Sequence, residues 1–405
     1  MTDWKTYRAE DFCLMVTDGT HDSPKPQAEG LYLITSKHLK PSGIDFSSAN
    51  RISETDYNKI IQRSKVEQYD ILFSMIGTIG NIHRVTTHIV DFAVKNMGIF
   101  KMGGDADKSL WMYYWLQSPI AQEYIQSRIT GSTQGYLTLG NLRDFPVCVP
   151  PLEEQRRIVG ILGVIDDKIE NNRRINTNLE LQAQALYKQW FVDFEFPNEE
   201  GEPYKSSGGK MVDSELGPIP EGWSVGTLSD LADVTMGQSP NGKSFNENGD
   251  GIVFYQGRTE FGVRYPSIRL YTTEPTRYAE PMSVLLSVRA PVGDINIATQ
   301  RCCIGRGVAS IKSKTDDNAY MYCCLKELRP QLNQYNGEGT VFGSINRKEL
   351  EGLVLCIPKY EIISKFNDVI LGTDKQMLNL FQQTQNLATL RDTLLPKLMN
   401  GEIKL

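Results

Sequence analysis

Several features that are common in other classes of protein are missing from this 405-residue sequence. No apolar run approaches the roughly 18 residues that a membrane-spanning helix requires, and the opening MTDWKTYRAEDF lacks the basic and apolar regions of a signal peptide. The seven cysteines show no CxxC spacing, and the adjacent pairs at 302–303 and 323–324 would point to opposite faces of a strand. We therefore expect a soluble cytoplasmic protein whose cysteines are small buried side chains and hold no metal.

Motifs of catalytic sites are missing as well. The sequence contains neither an N/D/S-PPY tetrad nor a GxGxxG after a strand, so a methyl-transfer site is absent, and it has no GxxxxGK[ST] phosphate loop. Its four histidines lie in polar, loop-like contexts without the spacing of metal ligands; they are His21, His38, His83 and His88. The sequence therefore predicts a binding protein without a catalytic site or cofactor of its own.

What the sequence does contain is an internal repeat. When the chain is shifted by 208 residues, GSTQGYLTLGNLRDFPVCVP (131–150) aligns with GTVFGSINRKELEGLVLCIP (339–358), and the register continues through the segments that follow. Earlier blocks align at larger offsets, 213 for ILFSMIGTIGNI with VLLSVRAPVGDI and 219 for Trp4 with Trp223. The first copy is thus about eleven residues longer, and we expect the extra residues in loops. The stretch 252–280 has no counterpart that can be aligned in the first copy.

Each copy ends in a long amphipathic segment that follows proline. PPLEEQRRIVGILGVIDDKIENNRRI begins at Pro150 and PKYEIISKFNDVILGTDKQMLNLF at Pro358, and proline is tolerated in the first turn of a helix but not inside it. Apolar residues recur at heptad positions a and d in both segments, so the two helices can pair with each other. Asn172 and Asn176 would weaken this pairing but help to fix its register. The predicted seam consists of Ile158, Leu162, Ile165, Ile169, Asn172, Asn176, Leu179, Leu186, Ile363, Phe366, Ile370, Met377, Leu380, Leu387 and Leu394.

The segments that precede the helices have the pattern of mixed, mainly β domains. Short apolar runs such as DILFSMIG and SVLLSVRAPVGDINIA are bounded by Gly, Pro, Asn and Asp, and LWMYYWLQSPIAQEYIQ and AYMYCCLKELRPQL are predicted helices. A Gly-, Pro- and Ser-rich stretch after the first long helix is a predicted linker. The predicted organisation is α+β, with a domain over 1–150, a helix over 151–196, a linker over 197–222, a second domain over 223–358 and a second helix over 359–405.

Arginine is concentrated in one part of the second domain. Residues 254–306 hold seven arginines and no lysine, interleaved with tyrosine and phenylalanine. Arginine presents a rigid two-pronged donor that suits guanine edges and phosphates, although the net charge of −6 does not by itself suggest a nucleic-acid-binding protein. A solvated surface with structural ion pairs is the alternative. The candidate nucleic-acid contacts are Gln256, Arg258, Arg264, Arg269, Arg277, Arg289 and Arg306.

Polar loops of the first domain give a weaker signal. The loops DGTHDSPK, TSKHLKPSG and VKNMG contribute the candidates Lys37, His38, Lys40, Lys95 and Asn96. The glycine-rich GSTQGYLTL and GEGTVFGSI could bring amides and hydroxyls close to phosphates, or could be plain turns. Their candidates are Ser132, Thr133, Gln134 and Thr340.

Three segments resemble one protein family. The stretch PPLEEQRRIVGILGVIDDKIENNRRINTNLELQAQALYKQWFVDFEF, the linker ending LGPIPEGW, and LRDTLLPKLMNGEI resemble the specificity (S) subunit, HsdS, of type I restriction–modification systems. The openings DGTHDSPK and MGQSP resemble its target recognition domains. Polar residues of these openings, Thr20, His21, Gln238 and Ser239, are further candidate DNA contacts. The resemblance covers essentially the whole chain. Recognition domains of this family vary strongly, so no base-contacting residue can be carried over from it.

The resemblance implies two similar target recognition domains, held apart by two long helices that form an antiparallel coiled coil with pseudo-twofold symmetry. Each domain would read one half of a bipartite site on double-stranded DNA, and both would face the same duplex. The partners would be two modification (methyltransferase) subunits, which bind S-adenosylmethionine and methylate adenine, and restriction (translocase/endonuclease) subunits, which cut DNA using ATP and Mg²⁺. The chain itself would be non-catalytic and hold no cofactor.

Two other functions stay open on the sequence alone. A stand-alone two-domain DNA-binding regulator would bind DNA tightly without partners, whereas a specificity subunit would need its methylating partners. A scaffold or adhesin that uses the helices as a spacer would carry a secretion signal.

Overall fold

The computed structural model describes residues 3–40, 43–131, 135–337 and 343–405. The chain forms two compact units: unit 1 comprises Met1–Ile169 and Gln385–Leu405, and unit 2 comprises Glu170–Thr384. The division runs through both long helices, so each unit contains one globular domain and a part of each helix. None of the helices in the described ranges combines the length and the apolar composition of a membrane span.

Unit 1 contains a mixed α+β domain. Its strands are β1 (Lys5–Arg8), β2 (Met15–Asp18), β3 (Leu31–Ile34), β4 (Leu39–Lys40), β5 (Gly43–Ile44), β6 (Asn50–Ile52), β7 (Ile71–Ser74), β8 (Ile82–Arg84), β9 (Phe92–Val94), β10 (Met97–Lys101) and β11 (Pro146–Val149). Its helices are α1 (Ala9–Phe12), α2 (Glu54–Ser64), α3 (Ala106–Trp115), α4 (Pro119–Arg128), α5 (Leu139–Arg143) and the first part of α6 (Leu152–Tyr187). One sheet has the order β2-β10-β7-β8 and another the order β6-β3-β9, while β1 pairs with β11.

Unit 2 begins with the second part of α6, which continues into a π-helical turn (Lys188–Val192). Its strands are β12 (Met211–Val212), β13 (Ile219–Pro220), β14 (Ser224–Thr227), β15 (Ala232–Met236), β16 (Phe245–Asn246), β17 (Ile252–Tyr255), β18 (Tyr271–Thr272), β19 (Tyr278–Ala279), β20 (Val284–Ser287), β21 (Ile295–Ile297), β22 (Cys302–Ile304), β23 (Val308–Ser313) and β24 (Val354–Ile357). Its helices are α7 (Leu228–Leu231), α8 (Asn318–Glu327), α9 (Arg329–Asn333), α10 (Arg347–Glu351) and α11 (Tyr360–Met399), whose last residues belong to unit 1.

The two domains share one topology. The order β15-β23-β20-β21 in unit 2 repeats β2-β10-β7-β8 in unit 1, and β14 pairs with β24 as β1 pairs with β11. In the other sheet, β17 lies parallel to β22 and antiparallel to β18, as β3 lies parallel to β9 and antiparallel to β6. The segment 256–270 between β17 and β18 therefore corresponds to the segment 35–49 between β3 and β6.

This correspondence corrects two expectations from the sequence. The stretch 252–280 has a topological counterpart in part, because β17 and β18 occupy the places of β3 and β6, although the sequences of the two copies do not align here. The extra residues of the first copy do not lie in loops alone, since the longer connection between β6 and β7 forms helix α2. Among the described residues of unit 2, no helix lies between β18 and β20.

Each predicted internal helix is two helices. LWMYYWLQSPIAQEYIQ contains the end of α3 and most of α4, because the Ser118 side chain caps a new helix and Pro119 occupies its first turn. Proline lacks the N–H that a continuing helix needs, but it suits the first turn. Pro330 likewise lies in the first turn of α9, which begins at Arg329 after α8 has ended.

The long helices pair in an antiparallel direction in unit 2. The Asn172 amide donates to Gln383 Oε1 (2.8 Å), and the Asn176 amide donates to the Met377 carbonyl (3.2 Å). The residue number falls along α11 as it rises along α6, which is the mark of an antiparallel pair. The two asparagines of the predicted seam thus bond across it, and such polar contacts fix the register of paired helices.

In unit 1 the first turns of α6 meet the last turns of α11. Arg391 Nη1 lies 2.9 Å from Asp166 Oδ1, and Leu395 and Leu398 share a buried core with Ile158. Every residue of the predicted seam is buried or half-buried.

An aromatic cluster forms the core of unit 2 beside the helices. The fully buried Phe366 ring lies 5.2 Å from Phe191 and 5.8 Å from Trp190. Phe196 stacks on Trp223 at 5.2 Å, so the start of the segment 197–222 is fixed against the domain that follows it. The same segment carries the β12–β13 pair.

Candidate nucleic-acid interface

In unit 2, separate segments of the chain meet where the parallel strands β17 and β22 end. The Gln238 N–H donates to the Ile304 carbonyl (3.0 Å) and the Gly307 N–H to the Gln256 carbonyl (3.2 Å). The Ile304 N–H donates in turn to the Arg277 carbonyl (2.9 Å). These bonds gather five polar residues, termed the unit 2 cluster: Gln238, Ser239, Gln256, Arg277 and Arg306.

Glycine makes this meeting of segments possible. A Cβ on Gly237 would lie 2.2 Å from the Gly305 carbonyl oxygen, and a Cβ on Gly305 would lie 2.9 Å from Gln256 Cα. Any larger residue would push the segments apart. The adjoining Gln238 and Arg306 are exposed, so the close crossing of backbones presents their side chains to solvent.

The arginines of the second domain fall into two groups. Arg258 contacts Asp294, Arg269 lies 2.6 Å from Glu260, and Arg301 lies 3.1 Å from Glu280. Arg277, Arg289 and Arg306 are exposed and form no ion pair with any described residue. The alternative of structural ion pairs thus holds for the first group. The second group keeps its guanidinium donors available for a DNA acceptor.

The placement of Arg264 contradicts its prediction as a DNA contact. Its side chain is only 4% exposed and lies between Glu180 of α6 (2.5 Å) and Asp374 of α11 (2.7 Å). A guanidinium held by two buried carboxylates cannot also reach a base or a phosphate. Sequence composition missed this because both partners lie far away along the chain.

Unit 1 has a corresponding cluster at the ends of β3 and β9. The Thr20 N–H donates to the Val94 carbonyl (3.0 Å), the Asn96 N–H to the Thr20 carbonyl (3.1 Å) and the Lys95 N–H to the Ile34 carbonyl (2.8 Å). A Cβ on Gly19 would lie 2.3 Å from the Val94 carbonyl oxygen. This approach is about as close as that of a Cβ on Gly237 to the Gly305 carbonyl oxygen (2.2 Å). The unit 1 cluster consists of Thr20, His21, Thr35, Lys95 and Asn96.

Equivalent hydrogen bonds align the two clusters at two positions, Thr20 with Gln238 and Lys95 with Gly305. Thr20 takes the place of Gln238, because each donates its N–H to the last residue of the parallel strand, Val94 or Ile304. Asn96 and Arg306 are each the second residue after that strand residue, in a connection that is one residue longer in unit 2. The two domains therefore hold different side chains on the same backbone frame.

Hydrogen bonds within the unit 1 cluster and to its neighbours hold His21 in place. The His21 ring nitrogens lie 2.8 Å from Asn96 Oδ1 and 2.9 Å from Asp18 Oδ2. Thr20 is 9% exposed, and its hydroxyl accepts from the Asp22 N–H (3.1 Å). His21 is thus the exposed member that these bonds hold in place. The predicted candidates Lys37 and Lys40 are also exposed.

His38 was predicted as a DNA contact, and the structure contradicts this. The ring is 2% exposed; its Nδ1 accepts from the Thr35 N–H (2.9 Å) and its Nε2 lies 3.3 Å from the Ser48 carbonyl. Burial lowers the pKa of His38. The residue closes the segment 35–49 upon itself instead of facing solvent.

Helix α2 adds cations that the sequence interpretation missed. Arg63 donates to the Gly19 carbonyl (2.9 Å) and lies 3.2 Å from Asp18, while Lys59 is exposed. The helix and the loop after β2 line a cleft of about 310 Å³. The Ser53 hydroxyl caps α2 by accepting from the Asp56 N–H, and this serine–x–x–aspartate start was the available signal.

Four candidates lie outside the described residues: Ser132, Thr133, Gln134 and Thr340. Within the described ranges, no group of three or more His, Cys, Asp or Glu side chains is arranged to hold a metal ion. The cysteines are free thiols, and those at 13, 302, 303, 323 and 324 are buried.

Two domains of one topology, each with a polar cluster at the same crossing and each packed against parts of two long helices, define a recognition protein built by internal repetition. Comparison of the chain with known proteins identifies its family. The model of the type I restriction modification DNA specificity domain matches residues 1–181 and 220–395.

Individual relatives agree with this match. A Methanocaldococcus jannaschii protein whose name describes it as the specificity subunit of a type I restriction enzyme, MjaX, is 30% identical over 378 residues, which cover 89% of this chain and 84% of the relative. The HindI specificity subunit of Haemophilus influenzae is 24% identical over 66% of this chain and 71% of its own length. A type I restriction–modification S subunit from M. genitalium shares the fold, with a TM-score of 0.57 at 15% identity over 98% of this chain and 96% of that one.

The chain belongs to the family of type I restriction–modification DNA specificity subunits. Its role in such a system is the recognition of DNA.

Proposed function

We propose that the chain reads a bipartite site on double-stranded DNA, one half-site with each domain, for a type I restriction–modification complex in the cytoplasm. The observation that carries the proposal is the pair of clusters. They occupy the same topological position in the two domains but hold different side chains. A protein that reads two unlike half-sites needs this combination, because the frame sets the approach to DNA while the side chains select the bases.

The chemistry of the clusters suits unlike bases. Arg306 offers two parallel donors, which match O6 and N7 of guanine, whereas Asn96 of the unit 1 cluster offers the donor and acceptor that match adenine. Gln238 and Gln256 add amides of the adenine-reading type in unit 2. The half-site read by unit 2 is therefore proposed to include guanine.

Removal of the Arg306 side chain gives the first test of this assignment. Arg306→Ala should lower discrimination in the second half-site by about 1–3 kcal/mol if the residue reads a base, or weaken all sequences alike if it contacts phosphate. Selectivity in the first half-site should be unchanged. Arg301→Ala is the matched control, because Arg301 is paired with Glu280 and lies over the Tyr278 ring. A loss of selectivity in the first half-site on Arg306→Ala would contradict the assignment; methylation of duplexes with single substitutions measures both halves.

The helices carry features that support two modification subunits as partners. Exposed apolar residues recur at equivalent positions of the repeat: Ile161 and Val369 are 39% and 57% exposed, and Leu152 and Tyr360 are 53% and 54% exposed. Apolar side chains that stay exposed on both copies indicate a contact surface used twice. We propose that each copy binds one modification subunit, so that the repeat sets a stoichiometry of two.

Substitution of one copy at a time tests this stoichiometry. Ile161→Asp and Val369→Asp should each leave one modification subunit per chain, because a charge is desolvated in only one of the two contacts. Leu181→Asp is the control, since Leu181 is 58% exposed but its repeat counterpart is the polar Thr389. The mass of the complex at saturation measures the result. If either substitution released both modification subunits, the two surfaces would not be independent. If both substitutions left both subunits bound, the surfaces would not be the binding sites.

The catalytic steps are proposed to reside in the partners. The modification subunits would bring S-adenosylmethionine and methylate adenine, and restriction subunits would bring ATP and Mg²⁺ for cleavage. Purification of the tagged chain from native cells tests this: the isolate should methylate adenine when supplied with S-adenosylmethionine. A chain that is recovered alone and binds its DNA site tightly without partners would instead be a regulator.

A further inference from the structure

A buried ion cluster joins the second domain to both long helices within unit 2. Arg264 Nη1 lies 2.5 Å from Glu180 of α6, and its Nη2 lies 2.7 Å from Asp374 of α11. Lys326 of α8 lies 2.7 Å from the other oxygen of Glu180. The Arg264 guanidinium also lies 4.2 Å from the centroid of the Tyr322 ring. Two cations and two carboxylates therefore balance one another; Arg264, Glu180 and Asp374 are buried, and Lys326 is half-buried.

This balance keeps the arginine charged and fixed. Burial alone would lower the pKa of Arg264, but Asp374 and Glu180 hold it above its ordinary value. Burial would likewise raise the pKa of Glu180, yet Arg264 and Lys326 hold it below its usual range. A buried pair of this kind is costly to break from one side, because the remaining partner is left unpaired. The guanidinium, with donors fixed in a fork, sets one orientation between the two helices.

Arg264 lies in the segment 256–270, which starts in the unit 2 cluster. The same part of the segment is bonded to β21: the Ile297 N–H donates to the Arg264 carbonyl (2.8 Å), and Asn296 bonds both the N–H and the carbonyl of Gly262 (2.9 Å each). Gln256 is the exposed residue at the start of this segment, eight positions before Arg264. The segment that begins at the exposed Gln256 is thus anchored in the helix pair at Arg264.

The corresponding segment of unit 1 is held in a different way. The corresponding segment 35–49 is closed internally by His38. Asp166, the repeat counterpart of Asp374, accepts from the Tyr114 hydroxyl (2.8 Å) and pairs with Arg391, and no described residue of 35–49 bonds to it. Among the described residues, such an anchor is found in unit 2 only.

We propose that Arg264 is a positioning residue for recognition of the second half-site, acting through the segment 256–270 on Gln256 without contacting DNA itself. The inference rests on the proposed function. It predicts that stringency in the second half-site depends on residues of the helix pair, Glu180 and Asp374, that lie outside the domain which reads the DNA.

The test uses the complex of the full chain with its modification subunits. The principal variant is Arg264→Met/Asp374→Asn, which removes the anchor while Lys326 still neutralises Glu180, so no buried charge is left unpaired. Methylation is measured on duplexes with single substitutions in either half-site. We expect discrimination in the second half-site to fall about tenfold, the worth of one weakened two-pronged contact. Discrimination in the first half-site should stay at the wild-type level, and both modification subunits should remain bound.

Two further variants make the result decisive. Arg391→Met removes the arginine that pairs with Asp166 in unit 1. This pair holds no segment that leads to a cluster, so discrimination should be unchanged in both half-sites. Arg264→Lys keeps the charge but loses the fork, and it should relax the second half-site in the same direction by a smaller factor; it decides the matter if the principal variant fails to fold. Wild-type discrimination in the second half-site, or an equal loss in both, would overturn the positioning role. A wild-type complex that shows no half-site selectivity would overturn the proposed function instead.

Discussion

Exchange of residues 223–358 for the corresponding domain of another family member is expected to replace only one half of the methylated DNA motif. The unit 2 cluster lies wholly inside this segment, between Gln238 and Arg306, whereas the unit 1 cluster lies outside it. The hybrid should therefore combine the first half-site of this protein with the second half-site of the donor. This is the largest change in specificity that the structure predicts.

The buried ion cluster sets a condition on such hybrids. Glu180 and Asp374 stay with the recipient, while Arg264 and Lys326 leave with the exchanged segment. A donor without cations at these two positions would leave two buried carboxylates unpaired, at a cost of about 3–5 kcal/mol. Such a hybrid should fold only when it also carries Glu180→Gln and Asp374→Asn.

The reciprocal exchange is the control for this prediction. Replacement of residues 1–150 should change the first half-site and leave the second as it is. Sequencing of methylated adenines in cells that carry each hybrid measures the outcome. Hybrids that fold but alter both halves of the motif, or neither, would contradict independent reading by the two domains.

Phe366→Ala is expected to cause the largest loss of stability among single substitutions in the helix pair. Phe366 is fully buried in α11 and packs against the rings of Tyr187, Trp190 and Phe191. Truncation of a fully buried phenylalanine lowers the free energy of unfolding by about 3–5 kcal/mol, since it removes transfer energy and leaves a cavity.

The neighbouring residue provides the control. Lys365 is exposed on the same turn of the helix, and Lys365→Ala should change the free energy of unfolding by less than about 0.5 kcal/mol. Urea denaturation of both variants gives the comparison. An unchanged midpoint for Phe366→Ala would mean that α11 does not pack on this aromatic cluster in solution.

The sequence predicted the parts of the fold that depend on local patterns. The heptad spacing and the prolines at 150 and 358 place both long helices close to their observed starts at Leu152 and Tyr360. The repeat predicted two similar domains, and their shared sheet order bears this out. These signals lie within short segments or appear when the chain is compared with itself, so one sequence is enough to find them.

The candidate site could be predicted only in part, because it depends on pairing between distant strands. Gln238, Gln256 and Arg306 are spread over almost seventy residues. The parallel pairing of β17 with β22 and the bond of Gln238 to Ile304 bring them together. Arg264 and Arg306 belong to one arginine-rich stretch, yet one is buried and the other exposed. The carboxylates that bury Arg264 lie 84 and 110 positions away, so composition could not separate the two arginines.

A map of methylated adenines in the native genome, compared with that of a strain lacking this chain, tests the central claim most directly. The account predicts a bipartite motif, with two unlike specific halves separated by unspecified bases of fixed number, that is methylated in the parent and unmethylated in the deletion strain. A motif that is continuous, or a methylation pattern that is the same in both strains, would contradict it.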